Sequence, residues 1–146
     1  MTILFQMLFF AFALGAVMGS FANVVIHRLP RGESIVHPGS RCPACSAPIR
    51  WYDNIPIVSY LFLRARCRHC GAAISLRYPA VESLSGLLFA GVVWRVGLQP
   101  AALVLALFCW GLLVVTFIDL DHRIIPDAIS LPGTVLGLAA SLLPAF

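Results

Sequence analysis

The sequence predicts an all-α, polytopic membrane protein with about four transmembrane helices and a small cytoplasmic, four-cysteine loop resembling a zinc ribbon. Of its 146 residues, 60% are hydrophobic and 11% are charged, and the mean hydropathy is +0.93. Such a chain is too apolar for an ordinary soluble domain. Long uncharged runs alternate with polar clusters, and four of the five cysteines fall in one polar cluster.

The first element is an uncharged run at residues 1–26. It is longer than the roughly 20 residues that a helix needs to cross the bilayer core. It has neither a basic n-region nor a small-x-small cleavage site before a mature domain, which disfavours the alternative of a secretory signal peptide. We therefore predict the first transmembrane helix at residues 1–26.

The second element is a basic loop at residues 27–78. All ten basic residues of the chain are arginines, and eight of them lie between Arg28 and Arg77, with only Glu33 and Asp53 as acids. Short arginine-rich loops remain on the cytoplasmic side of a membrane. This predicts a cytoplasmic loop and an outward-facing N-terminus in a bacterial inner membrane. The arginines are thus assigned to topology beside the lipid bilayer, and no nucleic-acid partner is predicted.

Three further apolar runs make up most of residues 79–146 and predict transmembrane helices 2–4. Glu82 interrupts the first of them, and a short turn containing Arg95 joins the first to the second. With the N-terminus outside, the polar cluster before the last run falls on the same side as the cysteine loop. The runs cover residues 79–94, 98–118 and 128–146.

Two CxxC pairs in the loop predict a structural zinc site. Cys42, Cys45, Cys67 and Cys70 have the spacing C-x2-C-x21-C-x2-C, which is close to that of zinc ribbons. Each pair places two thiolates on one side of a turn, and two such turns complete a tetrahedron. The cytosol keeps thiols reduced, so metal is favoured over disulfides or thiol-redox chemistry. Four sulfur ligands would leave no open position for catalysis.

Two other residues have side chains that can bind metal but are not predicted to be zinc ligands. His69 lies inside the second CxxC pair and could replace one sulfur, but is expected to face solvent. Cys109 lies within an apolar run and is expected to be a packing residue.

Three carboxylates lie at the junction of the last two apolar runs: Asp119, Asp121 and Asp127. Ionisable groups at membrane depth are costly and indicate function. The alternative is a solvated turn followed by a helix start. On one continuous helix, eight residues advance by about 80°, which would place Asp119 and Asp127 on the same side. Pro126 argues against a continuous helix.

Motifs along the whole chain resemble the prepilin leader peptidase family, also described as type IV prepilin peptidase/N-methyltransferase. Residues 19–30, GSFANVVIHRLP, resemble the signature GSFxNVxIxRLP. The loop continues with CPxC, WYDNIP at 51–56, CRHC and RYPAVE at 77–82. Residues 118–127, IDLDHRIIPD, are similar to the first aspartate motif of these intramembrane aspartyl peptidases.

The resemblance implies a membrane aspartic endopeptidase that removes the short basic leader from type IV prepilin-like or pseudopilin precursors of pili and type II secretion. Many members also N-methylate the new terminus with S-adenosylmethionine. The D-x3-R-x-I-x-D pattern implies Asp119 as the first catalytic aspartate, with Asp121 and Asp127 as competitors. No glycine-rich nucleotide loop identifies cofactor residues. Glu82 and Asn23 are candidates by position only, and Glu82 alternatively pairs with loop arginines.

The chain departs from the family in one motif. The second catalytic aspartate of the family lies in a GxGD motif, which this sequence does not contain. Because an aspartic dyad needs two carboxylates sharing a proton, we expect this chain to be an N-terminal part that is inactive alone. The alternative is a non-enzymatic zinc-ribbon membrane scaffold of a pilus or secretion assembly.

Overall fold

The computed structural model describes residues 1–142, and this part of the chain is helical with no β-strand. Two isolated β-bridges in the cysteine loop are the only extended pairings in it. The predicted all-α class is therefore confirmed. The helices are α1 (Thr2–Arg28), α2 (Val58–Phe62), α3 (Arg77–Val96), α4 (Pro100–His122) and α5 (Asp127–Ser141).

Three helices in the described residues are long and apolar enough to cross a membrane: α1 with the turn that follows it, α3 and α4. They correspond to the first three predicted spans. The fourth predicted run begins in α5, whose 15 residues are fewer than the roughly 20 needed to span the bilayer core. The rest of that run lies outside the described residues, so the fourth span stays a prediction.

Helices α1 and α3 pack closely because α1 presents glycines to its neighbour. A Cβ added to Gly19 would lie 2.6 Å from the Cα of Glu82, and one added to Gly15 would lie 2.6 Å from the carbonyl oxygen of Ser85. Small residues four positions apart allow backbones to approach in membrane helices. The Ser85 hydroxyl donates a 2.6 Å hydrogen bond to the Gly15 carbonyl and ties the two helices together.

Helix α4 completes the bundle against both neighbours. The indole N–H of Trp110 donates a 2.8 Å hydrogen bond to the Met18 carbonyl, and its ring stacks on Phe21 with centroids 5.9 Å apart. A buried apolar cluster fills the end of the bundle nearest the cysteine loop. Its members are Ala22, Val25, Ile26, Val81, Val114 and Ile118.

The outer faces of the helices remain apolar. Phe5, Phe10, Leu87, Leu103 and Phe108 are each more than half exposed. A soluble monomer rarely leaves such large apolar faces in water. The exposed faces therefore fit a lipid surrounding, as the composition predicted.

The end of α4 and the start of α5 differ from the sequence-based expectation. Asp119 and Asp121 belong to the last turn of α4, so the alternative of a solvated turn is wrong for them. The helix ends at His122, because the next residue, Arg123, adopts a left-handed conformation with φ 55°. Because α5 begins only at Asp127, the 80° rotation expected for a continuous helix does not apply.

Candidate functional site

The two cysteine pairs occupy two turns with the same backbone hydrogen bonds. In the first turn, the Cys42 N–H donates to the Ala47 carbonyl at 2.9 Å, and the Ser46 N–H donates to the Cys42 carbonyl at 2.8 Å. In the second, the Cys67 N–H donates to the Ala72 carbonyl at 2.8 Å, and the Gly71 N–H donates to the Cys67 carbonyl at 2.9 Å. An isolated antiparallel bridge closes each turn.

The repetition extends to the residue after each pair. Ser46 and Gly71 both have positive φ, at 58° and 71°, which folds the chain back beneath the preceding cysteine. Glycine adopts this conformation readily, while serine does so at a cost. The two turns also share residues at matching positions, RCxxCxAxI at 41–49 and at 66–74, so the repetition is visible in the sequence as well.

The four thiols converge on one point. The sulfurs of Cys42, Cys45, Cys67 and Cys70 all lie within 4.8 Å of one another. The Sγ atoms of Cys42 and Cys70 are 3.9 Å apart. Sulfurs at the corners of a tetrahedron with metal–sulfur bonds of about 2.3 Å are about 3.8 Å apart, whereas a disulfide requires about 2.05 Å. The donor set and its spacing therefore fit a tetrahedral zinc ion.

The turn geometry also shifts the pKa values of two of the thiols. Backbone N–H groups of Cys70 and His69 hydrogen-bond the Cys67 sulfur and lower its pKa to about 6. The pKa of Cys45 is raised to about 11, because desolvation and the neighbouring thiols outweigh the hydrogen bond from the Ala47 N–H. Cys67 therefore ionises more readily than Cys45. A thiolate is the form that binds metal.

The other two residues considered for this site stand apart from it. His69 is exposed and does not belong to the converging group. Cys109 lies in α4, away from the four thiols, and is half-buried. Both placements agree with the expectations from the sequence, which were a solvent-facing histidine and a packing cysteine.

A short 3₁₀ helix, Trp51–Asn54, contacts the second cysteine turn and stabilises it. Arg68 lies between the two cysteines of that turn and donates two hydrogen bonds to the Asp53 carboxylate, at 2.8 and 2.6 Å. Its guanidinium also lies 5.8 Å from the ring centre of Tyr52. This bidentate pair holds the pKa of Asp53 below its usual range.

Glu82 fixes the segment between this 3₁₀ helix and α2. Its Oε2 accepts a 2.7 Å hydrogen bond from the backbone N–H of Ile57. Ile57 has φ 63° and ψ −49°, a conformation that β-branched residues rarely adopt. Glu82 is only 8% exposed and stabilises this turn. The expectation that Glu82 pairs with loop arginines is not met in the described residues.

Arg77, the first residue of α3, joins the cysteine loop to the end of α4. Its guanidinium donates a 2.8 Å hydrogen bond to Asp121 Oδ1 and approaches Oδ2 at 2.7 Å. It also donates to the Phe117 carbonyl at 3.2 Å and lies 5.1 Å from the Phe117 ring centre. Asp121 is thus engaged as the partner of an arginine.

The other two carboxylates are exposed. Asp119 follows the fully buried Ile118, so a rigid core position holds the backbone beside it. No side-chain hydrogen bond or ion pair involves its carboxylate within residues 1–142. Asp127 begins α5, where a negative charge stabilises the N-terminal end of the helix.

A cavity of about 390 Å³ lies where the cysteine loop covers the ends of α1 and α3. Its volume is in the range of small-molecule sites. Asn23 and Glu82 both line it, and the Asn23 amide donates a 3.1 Å hydrogen bond to the Tyr78 carbonyl. Sequence reasoning had no signal for this cavity or for the Ile57 contact, because both depend on residues that are distant along the chain.

Two family models match the sequence. The bacterial peptidase A24 N-terminal domain matches residues 13–96, which include α1 from residue 13 onward, the cysteine loop and α3. The type IV leader peptidase family matches residues 106–146, which include the three aspartates. No solved structure matches the chain.

Curated relatives share one name. The prepilin leader peptidase/N-methyltransferase of Myxococcus xanthus strain DK1622 is 51% identical over 134 residues, covering 89% of this chain and 39% of the relative. The protein of that name from Stutzerimonas stutzeri is 41% identical, covering 88% and 52%. The one from Neisseria gonorrhoeae is 40% identical, covering 90% and 54%. The chain therefore spans about half the length, or less, of these relatives.

Proposed function

The chain belongs to the type IV leader peptidase family and contains its bacterial N-terminal domain, and from this we propose that it is part of a membrane aspartic endopeptidase acting on type IV prepilin-like or pseudopilin precursors. The membership confirms the resemblance indicated by the motifs. Cleavage of a leader beside a hydrophobic helix fits a carboxylate at the end of a helix that is long and apolar enough to span the bilayer.

Asp119 is our proposed catalytic residue in this chain. In an aspartic dyad, one carboxylate takes a proton from water and the other protonates the leaving amine, so water attacks the amide without a covalent intermediate. The partner carboxylate of the family lies in a GxGD motif, which residues 1–146 do not contain. Asp119 therefore supplies one half of the proposed dyad.

The single observation that favours Asp119 over Asp121 is the Arg77 contact. Both oxygens of Asp121 lie beside the Arg77 guanidinium, at 2.8 and 2.7 Å. A carboxylate held this way is stabilised as an anion and is a poor proton donor. Asp119 is exposed at the same helix end and remains available to share a proton.

The cysteine loop is proposed to hold a structural zinc ion through Cys42, Cys45, Cys67 and Cys70. Four thiolates leave no open coordination position for a catalytic water. In this role the metal holds the two turns together and keeps the loop folded over α1 and α3.

Cleavage by the full-length protein tests the assignment. Asp119→Asn removes one member of the dyad, and we expect precursor cleavage in membranes to fall by about a thousandfold or more. The matched variant Asp121→Asn should retain cleavage within about tenfold, because it weakens only a contact that positions the helix end. Gel mobility of the precursor measures both rates.

The control for insertion is the amount of each variant recovered in the membrane fraction. Normal cleavage by Asp119→Asn, with loss of cleavage in Asp121→Asn, would transfer the catalytic role to Asp121. Failure of both variants to affect cleavage would remove the aspartic mechanism from this helix end.

N-methylation of the new terminus is the second activity that we propose for the whole protein. The curated relatives carry N-methyltransferase in their names. S-adenosylmethionine supplies an electrophilic methyl group on a positively charged sulfur. The chemistry therefore requires a pocket that accepts this cation.

A further inference from the structure

Glu82 is a buried acid without a cationic partner among the described residues. It is 8% exposed, and its polar contacts come from two neutral groups, the backbone N–H of Ile57 at 2.7 Å and the Ser20 hydroxyl. The two ion pairs within residues 1–142 involve Asp53 and Asp121 instead. Burying a carboxylate away from water is costly unless a positive charge accompanies it.

The side chain of Glu82 lines the cavity between the cysteine loop and the helix ends. Ser20 and Asn23 of α1 lie in the same wall. A cationic group bound in this cavity would supply the charge that the protein itself does not place beside Glu82. The part of the cavity beside Glu82 is thus suited to a ligand with a positive centre.

Basic residues line the same cavity. They are His27 and Arg28 in the last turn of α1 and Arg41 of the cysteine loop. The Arg28 guanidinium is anchored by hydrogen bonds to the carbonyls of Ser34 and Gly39, at 3.0 and 3.3 Å. The cavity lining therefore contains one buried acid and several basic side chains, which suits a ligand carrying both a positive centre and a carboxylate.

We propose that this cavity binds S-adenosylmethionine, with Glu82 as the counter-ion of the sulfonium group. The inference rests on the methyl-transfer part of the proposed function and adds the binding site and its charge-recognising residue. A volume of about 390 Å³ is in the range of pockets for ligands of this size. Tyr60 and Tyr78 add aromatic surface to the lining, which suits an adenine ring.

The variant Glu82→Gln tests the role of the Glu82 charge separately from its role in the fold. Glutamine keeps a carbonyl oxygen that accepts the Ile57 N–H hydrogen bond, and it removes only the negative charge. The matched control is Glu33→Gln, the same substitution at an exposed acid of the loop that does not line the cavity. Metal content and thiol protection of the four cysteines report whether the loop stays folded in each variant.

The experiment is a titration of the full-length protein in detergent with two probes. S-adenosylmethionine carries the sulfonium charge, while S-adenosylhomocysteine keeps the same adenosine and amino-acid groups without it. In Glu82→Gln we expect the affinity for S-adenosylmethionine to fall by about tenfold or more, as for loss of a charged contact. The affinity for S-adenosylhomocysteine should change by less than about threefold, and Glu33→Gln should leave both unchanged.

Three results would overturn the inference. An equal loss of affinity for both probes would make Glu82 a purely structural residue, and unchanged affinities would place the sulfonium elsewhere. Binding of neither probe by the wild-type protein would remove methyl transfer, while leader cleavage tested at Asp119 would stand or fall separately. Conversely, the expected charge preference together with cleavage that is insensitive to Asp119 would leave this site intact and remove the peptidase assignment.

Discussion

The cysteine loop and the end of α4 present their reactive side chains in opposite ways. In the loop, four thiols from two short turns lie within 4.8 Å of one another. At the end of α4, Asp119 is exposed, Asp121 binds Arg77, and Asp127 begins another helix. The loop brings its four sulfur ligands together from two short turns, whereas the three carboxylates lie in three different environments.

The difference teaches which kind of site a short motif can specify. Each cysteine turn is closed by its own backbone hydrogen bonds, so C-x2-C spacing nearly determines where the sulfurs point. The state of Asp121 depends instead on Arg77, which lies 44 positions earlier in the chain. A metal site of this kind can therefore be predicted from short sequence motifs, while the role of a carboxylate depends on tertiary contacts.

The largest predicted effect is the loss of zinc from the cysteine loop. Cys42→Ser or Cys67→Ser removes one thiolate from the proposed tetrahedron, and we expect zinc to fall from about one ion per chain to nearly none. The loop should then lose its protection from proteolysis, because the metal joins the two turns. Elemental analysis of the purified protein under reducing conditions measures the first effect.

Cys109→Ser is the matched control for this loss, since its thiol lies in α4 and outside the converging group. It should keep the full zinc content. Absence of zinc from the reduced wild-type protein, or full retention in Cys42→Ser, would contradict the metal assignment.

The second prediction concerns the base of the loop, where α1 and α3 meet. An added Cβ at Gly19 would lie 2.6 Å from the Cα of Glu82, so one backbone must move. We expect Gly19→Ala to lower the free energy of unfolding by about 1–3 kcal/mol, the usual cost of overpacking. Gly91→Ala in α3 has open space and should be nearly neutral. Unfolding in mixed detergent measures the difference.

The outcome for zinc makes this prediction informative about the two regions. A self-contained loop should retain its metal in Gly19→Ala even as the bundle weakens. Loss of zinc together with bundle stability would show that the loop depends on the helices beneath it. Equal destabilisation by Gly19→Ala and Gly91→Ala would contradict the close helix contact itself.

The sequence predicted the architecture and the cysteine group well for physical reasons. Long uncharged runs indicate spans because bilayer thickness sets their length, and three of the predicted runs match α1, α3 and α4. The cysteine group follows from local turn geometry. The angular argument for Asp119 and Asp127 failed because Arg123 adopts a left-handed conformation, which ends α4.

The contacts of Glu82 could not be predicted in the same way. One of its hydrogen-bond donors is the backbone N–H of Ile57, which is not encoded by any side-chain pattern. The conformation of Ile57 gave no sequence signal either, since glycine or asparagine is the usual residue at positive φ. The cavity beside Glu82 arises only when loop and helices pack together.

The third prediction tests the link between the two regions. Arg77 and Asp121 are each about one-third exposed, so solvent weakens their attraction, although the bidentate geometry favours it. A double-mutant cycle with Arg77→Gln and Asp121→Asn should give a coupling free energy of about 1 kcal/mol. Unfolding free energies of the four proteins supply the measurement. Strictly additive effects would mean that the pair does not join the regions.

The smallest predicted effect lies within the helix pair that supports the loop. The Ser85 hydroxyl is fully buried and donates to the Gly15 carbonyl. Hydrogen bonds between membrane helices contribute about 0.6 kcal/mol on average, because the separated helices also find partners. Ser85→Ala should therefore lower the unfolding free energy by about that amount, and Ser83→Ala, on the less buried side of α3, by less. Since the cost at Ser85 should be well below that at Gly19, steric fit rather than hydrogen bonding would be the main source of the α1–α3 contact; a larger loss in Ser85→Ala than in Gly19→Ala would reverse that order.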